Sequence, residues 1–372
     1  MSARTDSAES AHLRFALAVH RATAGESDAC VSPYSAASAL GLVTDAARGE
    51  TADEVAALLA GPESTPAEQA ELLAAAATLE ARQGREEPVL AVSNTLWAWD
   101  GLPLVDGYSG TLARWPSGTV AQAPFVDDPD GARSAINADV AATTRELIPE
   151  LLPPRSITAD TVATLVNALY LRVPWRHPFP EDDTADGDFH TPDGPMPVPM
   201  MRQTARFGYA EAEGWTAVSV PAEGGVEALV LLPDRRLADA ESTMDEHVLG
   251  SLLDRMGPQQ VRLTMPRVSL DVPGALGGAL RGLGVRRMFT PQADFGALTD
   301  DPRLCVSEVL HQAVLRLDES GLEGAAATAA TMRLVSMPTQ EPVVVDVNRP
   351  FLLLVRHAAS GAVYFLARVV TP

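Results

Sequence analysis

The sequence contains no lysine, so all 28 basic residues are arginine, and they stand against 49 acidic residues for a net charge of −21. This acidic excess argues against a nucleic acid partner, because binding to a phosphate backbone depends on clustered basic side chains. The exclusive use of arginine is typical of a GC-rich genome and indicates a bacterial source.

Cysteine is scarce as well. The two cysteines, Cys30 and Cys305, are too few for a disulfide framework, and both are expected to act as small buried apolar residues. No apolar run reaches the length of a transmembrane helix, and the first residues, MSARTDSAESAHLRF, contain no apolar signal core. We therefore expect no membrane partner and a cytoplasmic location, with release by an unrecognised route or by cell lysis as the alternative.

Metal-binding patterns are also missing. The histidines have no ligand-like spacing, and no HExxH motif occurs. The segment Asp128-Pro129-Asp130-Gly131 resembles part of a calcium loop, but it lacks the third ligand and the final Glu and is interpreted as a turn. Neither a metal nor a cofactor is expected.

The order of the local patterns predicts the fold class. With 372 residues, 46% of them hydrophobic, the chain fits one large domain or two average ones. In the helical first hundred residues, Thr51 and Glu54 are interpreted as a capping box, Gly61-Pro62 as a helix end and Thr65-Pro66 as the next start.

Strand patterns dominate from Val89 onward, with helices predicted over residues 133–147, near 238–256 and near 274–283. Helices first and strands later predict an α+β fold with large, mainly antiparallel sheets.

Residues 308–335, EVLHQAVLRLDESGLEGAAATAATMRLV, hold the most informative pattern. Their first third, with Val309, Leu315 and Leu317, predicts a β-strand. The following residues 321–331 are almost all Ala, Gly and Thr, which bury little and lack the charge of a solvated linker. Small, uncharged residues suit a segment that is exposed in one state and lies between strands in another.

Ordered blocks from residue 10 to Pro372 resemble the serpins, with a departure at Ala367, where the family often has Gly. These blocks are Ser32–Ser35 with residues 38–59, Leu165–Tyr170, Pro174-Trp175, Pro178-Phe179, residues 189–201, 228–234 and 283–298, and Asn348 to the C-terminus. The resemblance implies a single serpin domain over residues 1–372, with eight to nine helices and an exposed reactive loop near residues 319–347.

Serpins trap proteases by inserting the cleaved reactive loop into their own sheet, a recognised case of strand addition. The resemblance thus implies a suicide-substrate inhibitor of serine proteases, which is not itself an enzyme, needs no cofactor and is a monomer. Some serpins bind sulfated polysaccharide through a basic helix, but the corresponding residues 66–84 are Ala-rich and acidic. No heparin-like partner is therefore expected.

The resemblance also implies a position for the cleaved bond. Family inhibitors place a Glu, closely followed by a Gly, at a set distance before this bond, and Glu319 and Gly321 fit. Counting forward predicts cleavage at Val335-Ser336, which implies an elastase-like or subtilisin-like target. Arg333-Leu334, Leu334-Val335 and Ser336-Met337 remain alternatives, and cleavage after Arg333 would imply a trypsin-like target.

The mobile hinge of the loop is predicted to alternate in the period of a strand. It comprises Glu319, Gly321, Leu322, Glu323, Gly324, Ala325, Ala326 and Ala327. One face of the inserting strand carries Leu322, Gly324 and Ala326, and the charge of Glu323 falls on the other. Leu322 and Gly324 depart from the usual small Thr or Ser and from Ala. They leave open a non-inhibitory serpin, binding or chaperone-like, whose loop is cut without trapping.

A second set of residues matches polar positions under the centre of the family's opening sheet. It comprises Ser32, Ser35, Asn167 and His311, and Trp175 matches the tryptophan where the loop first enters the sheet. Buried polar groups must be paired, so this cluster can favour one strand arrangement over another. A hydrolase would use Ser and His as nucleophile and base, but no G-x-S-x-G motif occurs.

Overall fold

The computed structural model describes residues 3–105, 112, 114–322 and 341–372. Its described part contains eight α-helices and fifteen β-strands. The helices are α1 (Ala3–Thr23), α2 (Pro33–Ala46), α3 (Gly49–Leu59), α4 (Pro66–Ala75), α5 (Pro129–Thr143), α6 (Leu237–Glu241), α7 (Glu246–Arg255) and α8 (Gly277–Gly282). The predicted α+β class, with eight to nine helices, is confirmed.

The strands form two sheets. They are β1 (Ala29–Val31), β2 (Val89–Trp99), β3 (Gly118–Ala123), β4 (Ala163–Pro174), β5 (Ala185–Thr191), β6 (Gly194–Ala212), β7 (Trp215–Pro221), β8 (Val226–Pro233), β9 (Gly257–Pro266), β10 (Val268–Ala275), β11 (Val306–Leu317), β12 (Gly321–Leu322), β13 (Val343–Asp346), β14 (Phe351–His357) and β15 (Val363–Val369).

Most neighbouring strands are antiparallel. One sheet has nine strands in the order β1-β15-β14-β8-β7-β6-β9-β13, with β5 on β6, and the other has six in the order β10-β11-β12-β4-β2-β3. Parallel pairing occurs between β4 and β11, β9 and β13, and β2 and β3. The parallel pairing of β4 with β11 is the one that concerns function, because it closes the middle of the six-stranded sheet.

The main core joins the two sheets and α1–α4. It includes Phe15, Leu40, Trp175 and Phe351, all fully buried. A second, smaller core lies under α5, where Ile136 and Val140 contact residues of the six-stranded sheet. Apolar residues on both faces of β4 explain its almost continuous burial and keep it central in the sheet.

Several local predictions need correction. The capping box is not at Thr51 and Glu54, because α3 already begins at Gly49. The Thr51 hydroxyl instead accepts the backbone N–H of Asp294 at 2.9 Å. The true capping box lies at Thr65 and Glu68, where the next helix was correctly predicted to start. A Thr-x-x-Glu pattern alone therefore does not identify which turn begins a helix.

The predicted helix over 133–147 begins four residues earlier, at Pro129, and ends at Thr143. Asp128 caps its N-terminus by accepting the N–H of Gly131 at 2.9 Å, so the calcium-like segment is a helix cap and not a free turn. The helix predicted near 238–256 is two helices, α6 and α7, and part of the segment near 274–283 belongs to β10. Cys30 is buried as predicted, whereas Cys305 is only half-buried.

Candidate functional site

The candidate site is the boundary between β4 and β11, which we call the seam. In its lower half, Val306–Gln312 pair in parallel with Ala163–Ala168. At the top the two strands are separated, because β12 lies between them and Leu322 pairs with both Leu317 and Val173. Leu322 is 1% exposed. The seam therefore holds the first residues of an inserted strand.

A tight turn at residues 318–321 feeds β12 into the seam. The backbone N–H of Asp318 donates to the carbonyl of Gly321 at 3.0 Å, and the Asp318 carboxylate accepts the N–H groups of Ser320 and Gly321. Gly321 is required by contact: a Cβ there would collide with the carbonyl oxygen of Val173 and with the backbone of Pro174. A side chain at this position would push the strand out of the seam.

An ion pair holds the same turn from outside. Arg267, between β9 and β10, donates to both carboxylate oxygens of Glu319 at 2.9–3.0 Å, and the Thr184 hydroxyl donates at 2.6 Å. The Glu319 side chain is 6% exposed and that of Arg267 is 49% exposed. Burial alone would raise the pKa of Glu319, but the hydrogen bonds from Arg267 and Thr184 lower it below its ordinary value. We call Glu319, Arg267 and Thr184 the clasp.

Trp175 supports the turn from the end of β4. Its indole N–H donates to the carbonyl of Asp318 at 2.8 Å, and its backbone N–H donates to the carbonyl of Ser320 at 2.9 Å. The backbone N–H of Phe179 donates to the carbonyl of Glu319 at 2.9 Å. Trp175, which was predicted to lie where the loop first enters the sheet, thus contacts the turn that precedes β12.

Halfway down the seam, polar side chains cross three adjacent strands. Asn94 of β2 lies opposite Asn167 of β4, which lies opposite His311 of β11. All three side chains are buried, and the His311 imidazole hydrogen-bonds the Asn167 side-chain oxygen across the seam. We call these three residues the polar row. The His311–Asn167 bond joins the two strands directly.

Two serines connect the polar row to α2. Ser32 caps this helix by accepting the N–H of Ser35 at 3.2 Å, and the Ser35 hydroxyl donates to the Asn94 side-chain oxygen at 3.2 Å. The backbone N–H of Ser32 donates to Nε2 of His311 at 3.0 Å. The four residues predicted as a sheet-opening cluster thus form one network, which also includes Asn94.

His311 is neutral in this arrangement. Its Nε2 accepts a backbone N–H, so the proton must be on Nδ1, which donates to Asn167. Complete burial lowers the pKa of His311 to about 4. The ring is therefore a strand-to-strand connector throughout the neutral range.

The same geometry argues against a hydrolase site in which a serine is the nucleophile and His311 the base. Neither Ser32 nor Ser35 donates its hydroxyl to His311, both of whose ring nitrogens are occupied by other partners. A nucleophile needs a hydrogen-bonded base and contact with substrate, and all members here are buried.

Sequence reasoning missed Asn94, Arg267 and Thr184. Asn94 interrupts the apolar pattern of the strand LAVSNTLWAW, and a polar residue at a buried strand position was the available signal. Arg267 and Thr184 meet Glu319 only through tertiary contacts with distant strands, and no local pattern indicated either of them.

The sequence matches a known protein family over nearly its whole length. Residues 10–372 match the family model described as "Serpin (serine protease inhibitor)". The chain belongs to the serpin family. This serpin is 28% identical over 344 residues to an uncharacterised serpin-like protein of Thermococcus kodakarensis, covering 92% of this chain and 80% of that protein. It is 31% identical to Serpin-Z2A of Oryza sativa subsp. japonica, covering 92% and 91%.

Solved structures share the serpin fold. Thyroxine-binding globulin in complex with thyroxine matches with a TM-score of 0.85 and 23% identity over 98% of this chain and 99% of that one. Uncleaved ovalbumin matches with a TM-score of 0.84 and 22% identity over 98% and 100%. At this identity the two structures speak for the fold of this serpin alone.

The family description of this serpin is that of protease inhibitors and not of catalytic enzymes. Among the predicted site residues, the reactive bond Val335-Ser336 and its alternatives Arg333, Leu334 and Met337 lie outside the described residues, as do hinge residues 323–327. Within the part described, no helix is long and apolar enough to cross a membrane. No group of three or more potential metal ligands occurs in that part either.

Proposed function

We propose that this serpin is a suicide-substrate inhibitor of serine proteases. The protease would attack the carbonyl of Val335 and release the Ser336 amine, forming an acyl-enzyme. The residues before the bond would then insert down the seam and carry the protease with them. The observation that carries this proposal is that β12 already lies between β4 and β11 with Leu322 buried.

The register of β12 supports continued insertion. Because Leu322 pairs with Leu317 and Val173, each following loop residue would pair one step lower on both strands. Six steps down, inward-facing Thr328 would lie between Asn167 and His311, where its hydroxyl could replace their lost hydrogen bond. The polar residue of the inserting face thus meets the polar row.

The outward face supports the same register. One step below Leu322, Glu323 would lie between Arg172 of β4 and Arg316 of β11. Arg172 is half-buried and paired with Glu86, whereas Arg316 is exposed and has no ion pair among the described residues. The one acid of the inserting strand would therefore meet two arginines, an arrangement that contributes up to about 1 kcal/mol per cross-strand pair.

The length of the seam fits the loop. Continued pairing would set residues 322–332 along residues 163–173 of β4, a path of roughly 36 Å. New ladder hydrogen bonds, at about 1 kcal/mol net each, would contribute on the order of 10 kcal/mol. At the lower end a cleft of about 730 Å³, lined by residues that include Ile157, Thr161 and Ser307, lies beside the seam. Val335 would be carried past this end.

Leu322 was a reason to consider a non-inhibitory serpin, because it is larger than the residue usual at that position. Its burial between β11 and β4 argues against that concern, since the seam accommodates the side chain. Gly324 still favours the alternative, a binding or chaperone-like serpin whose loop is cleaved without trapping. Thermal unfolding before and after loop cleavage separates the two, because only insertion raises the melting temperature strongly.

Further parts of the proposal concern the target and the setting. Val335 before the bond favours an elastase-like or subtilisin-like protease, and cleavage after Arg333 would favour a trypsin-like one. We infer a monomer that acts without a heparin-like polysaccharide, in the cytoplasm or after release.

The experiment is incubation of the protein with elastase, subtilisin, chymotrypsin and trypsin, followed by denaturing gels and mass spectrometry of the released fragment. A denaturant-stable complex with a fragment beginning at Ser336 is expected. A fragment beginning at Leu334 would move the specificity to trypsin-like proteases. Cleavage by all four proteases with no complex would contradict the inhibitor and favour the alternative.

Two adjacent variants give a matched control. Ala326→Arg places a guanidinium on the inward face, where its burial without a partner costs several kcal/mol. Ala327→Arg places the same group on the outward face, in solvent. The first variant should be cleaved without forming a complex, and the second should form the complex. Equal behaviour would contradict the proposed register.

A further inference from the structure

Three exposed arginines lie together on one face of the nine-stranded sheet. Arg262 of β9 pairs with Thr204 of β6, and Arg202 and Arg206 lie two residues to either side of Thr204. Alternate residues of a strand point to the same face, so all three side chains share the outward one. Diagonal neighbours on paired strands lie about 7–8 Å apart. We call Arg202, Arg206 and Arg262 the arginine triad.

The triad does not stabilise the fold through pairing. Among the described residues, no carboxylate lies within 4.0 Å of any of the three guanidinium groups, and none of them forms a hydrogen bond. On β13, the nearest acid by register is Asp346, which pairs with Thr264 and is therefore diagonal to Arg262. On β6, the exposed acidic turn Glu181–Asp183 also contacts the strand that carries Arg202 and Arg206. Neighbouring like charges repel, so the triad is a local positive patch on a chain of net charge −21.

The patch lies beside the strand that anchors the reactive loop. β13 is the edge strand of the sheet, and its Val344 pairs with Arg262 and is 55% exposed. Ser336 precedes Val344 by eight residues, so the proposed bond lies within roughly 27 Å of the triad's edge. A protease domain of roughly 220 residues has a radius of gyration of about 17 Å and a diameter near 44 Å. A protease on the bond would therefore reach the triad.

We propose that the arginine triad is an exosite for an acidic surface beside the active-site cleft of the target protease. This inference rests on the proposed inhibitory function and specifies its partner. The overall negative charge of the chain would repel an acidic protease. Fast association would therefore need contact with a positive patch close to the proposed reactive bond. At physiological ionic strength the Debye length is about 8 Å, and the charges nearest the contact dominate.

A sulfated polysaccharide is the competing partner of a basic patch. The triad offers three charges with Asp346 close by, whereas a polyanion is bound by neutralising many charges along its length. The triad also lies next to β13, the strand that follows the reactive loop, where a protease bound at the proposed bond could contact it directly. The geometry therefore favours the protease.

The test compares association rate constants for two serine proteases that cleave the same loop, one with an acidic rim around its cleft and one with a basic rim. The triad variant is R202Q/R206Q/R262Q. The control, R155Q/R235Q/R236Q, removes the same charge from exposed arginines that form no ion pair with a described residue.

With the acidic-rim protease at low salt, the triad variant should associate roughly tenfold more slowly than the parent, and the difference should fade in 0.5 M salt. The association rate constant of the control variant should change little. The protease with the basic rim should associate faster with the triad variant than with the parent. Equal slowing of both variants would overturn the exosite, because the effect would then follow total charge.

Two further outcomes are separable. If heparin accelerates the parent but not the triad variant, with no dependence on the rim of the protease, the patch is a polyanion site and the exosite is overturned. If the loop is cleaved without trapping, the inhibitory function fails. The same comparison, made on the rate of loop cleavage, still decides whether the triad recruits the acidic protease.

Discussion

Removing the charge of Glu319 while keeping its shape should loosen the turn that feeds β12 into the seam. The Glu319→Gln variant retains a carbonyl oxygen that can accept the Thr184 hydroxyl, but it presents a neutral amide to Arg267. The two-oxygen bond to the guanidinium at 2.9–3.0 Å is then lost. The perturbation therefore isolates the ionic part of the clasp.

The magnitude follows from the exposure of the pair. Fully exposed ion pairs contribute about 0.2–1 kcal/mol, whereas hydrogen bonds to charged buried groups contribute about 1.5–3 kcal/mol. The Glu319 side chain is 6% exposed but that of Arg267 is 49% exposed, so solvent screens the pair from one side. We expect Glu319→Gln to lower the free energy of unfolding by about 1.5 kcal/mol, and Arg267→Gln by about 2 kcal/mol, because the latter leaves a buried carboxylate.

The assay is a double-mutant cycle of Glu319→Gln and Arg267→Gln measured by urea unfolding at pH 7. The double variant should lose about 1 kcal/mol less than the sum of the single losses. Arg303→Gln is the matched control, because Arg303 makes a similar two-oxygen contact with Asp301 but its side chain is 65% exposed. Strict additivity of the two single losses, or an equal loss in the control, would refute the clasp.

Three further predictions concern the seam and its surroundings. His311 and His12 are both buried, and burial lowers the pKa of each to about 4. Below the ordinary pKa of 6.5 the unfolded state binds a proton that the folded state does not, so the free energy of unfolding should fall between pH 7 and pH 5 by about 2 kcal/mol for each histidine. A Gln variant of either histidine should reduce this loss, as measured by urea unfolding. Gly321→Ala should expel β12, because its Cβ collides with the β4 backbone, and limited proteolysis should then cut the parent more slowly than the variant. Arg316→Glu should lower the melting temperature of the loop-cleaved form more than that of the intact form, because the proposed insertion would pair Glu323 with Arg316 across adjacent strands; an equal drop in both forms would contradict the register.

The architecture could be predicted from the sequence because its signals are local and repeated. β11 was predicted from apolar residues in a strand pattern, and the start of α4 from Thr65-Pro66. The position of Trp175 and the membership of Ser32, Ser35, Asn167 and His311 came from the family resemblance. The structure adds the bonds among them, which no single segment contains.

The remaining features could not be predicted because they depend on contacts between distant segments. Arg267 reaches Glu319 across 52 residues, and His311 reaches the backbone of Ser32 across 279 residues. The false capping box at Thr51 has the same origin, since its hydroxyl is used by Asp294 from another part of the chain. The family resemblance identified Leu322 as a bulky departure, and its burial between β11 and β4 shows that the seam accommodates this size.

The clasp and the polar row should affect the proposed insertion in opposite directions. If residues after Leu322 add to the strand as proposed, the turn that the clasp holds would keep its register, so the clasp would organise a nucleus for insertion without breaking. The His311–Asn167 bond would act as a lock, because it would have to break for the proposed strand to pass between these two residues. Loss of the nucleus should therefore slow trapping, and loss of the lock should speed it.

The measurement is the number of inhibitor molecules consumed for each protease trapped, because slow insertion lets the acyl-enzyme hydrolyse first. Glu319→Gln should raise this number and His311→Gln should lower it or leave it unchanged, although both variants reduce the stability of the intact protein. His12→Gln controls for the loss of a buried histidine away from the seam. If both seam variants raise the number in proportion to their lost stability, trapping depends on the stability of the whole fold, and the distinction between nucleus and lock is wrong.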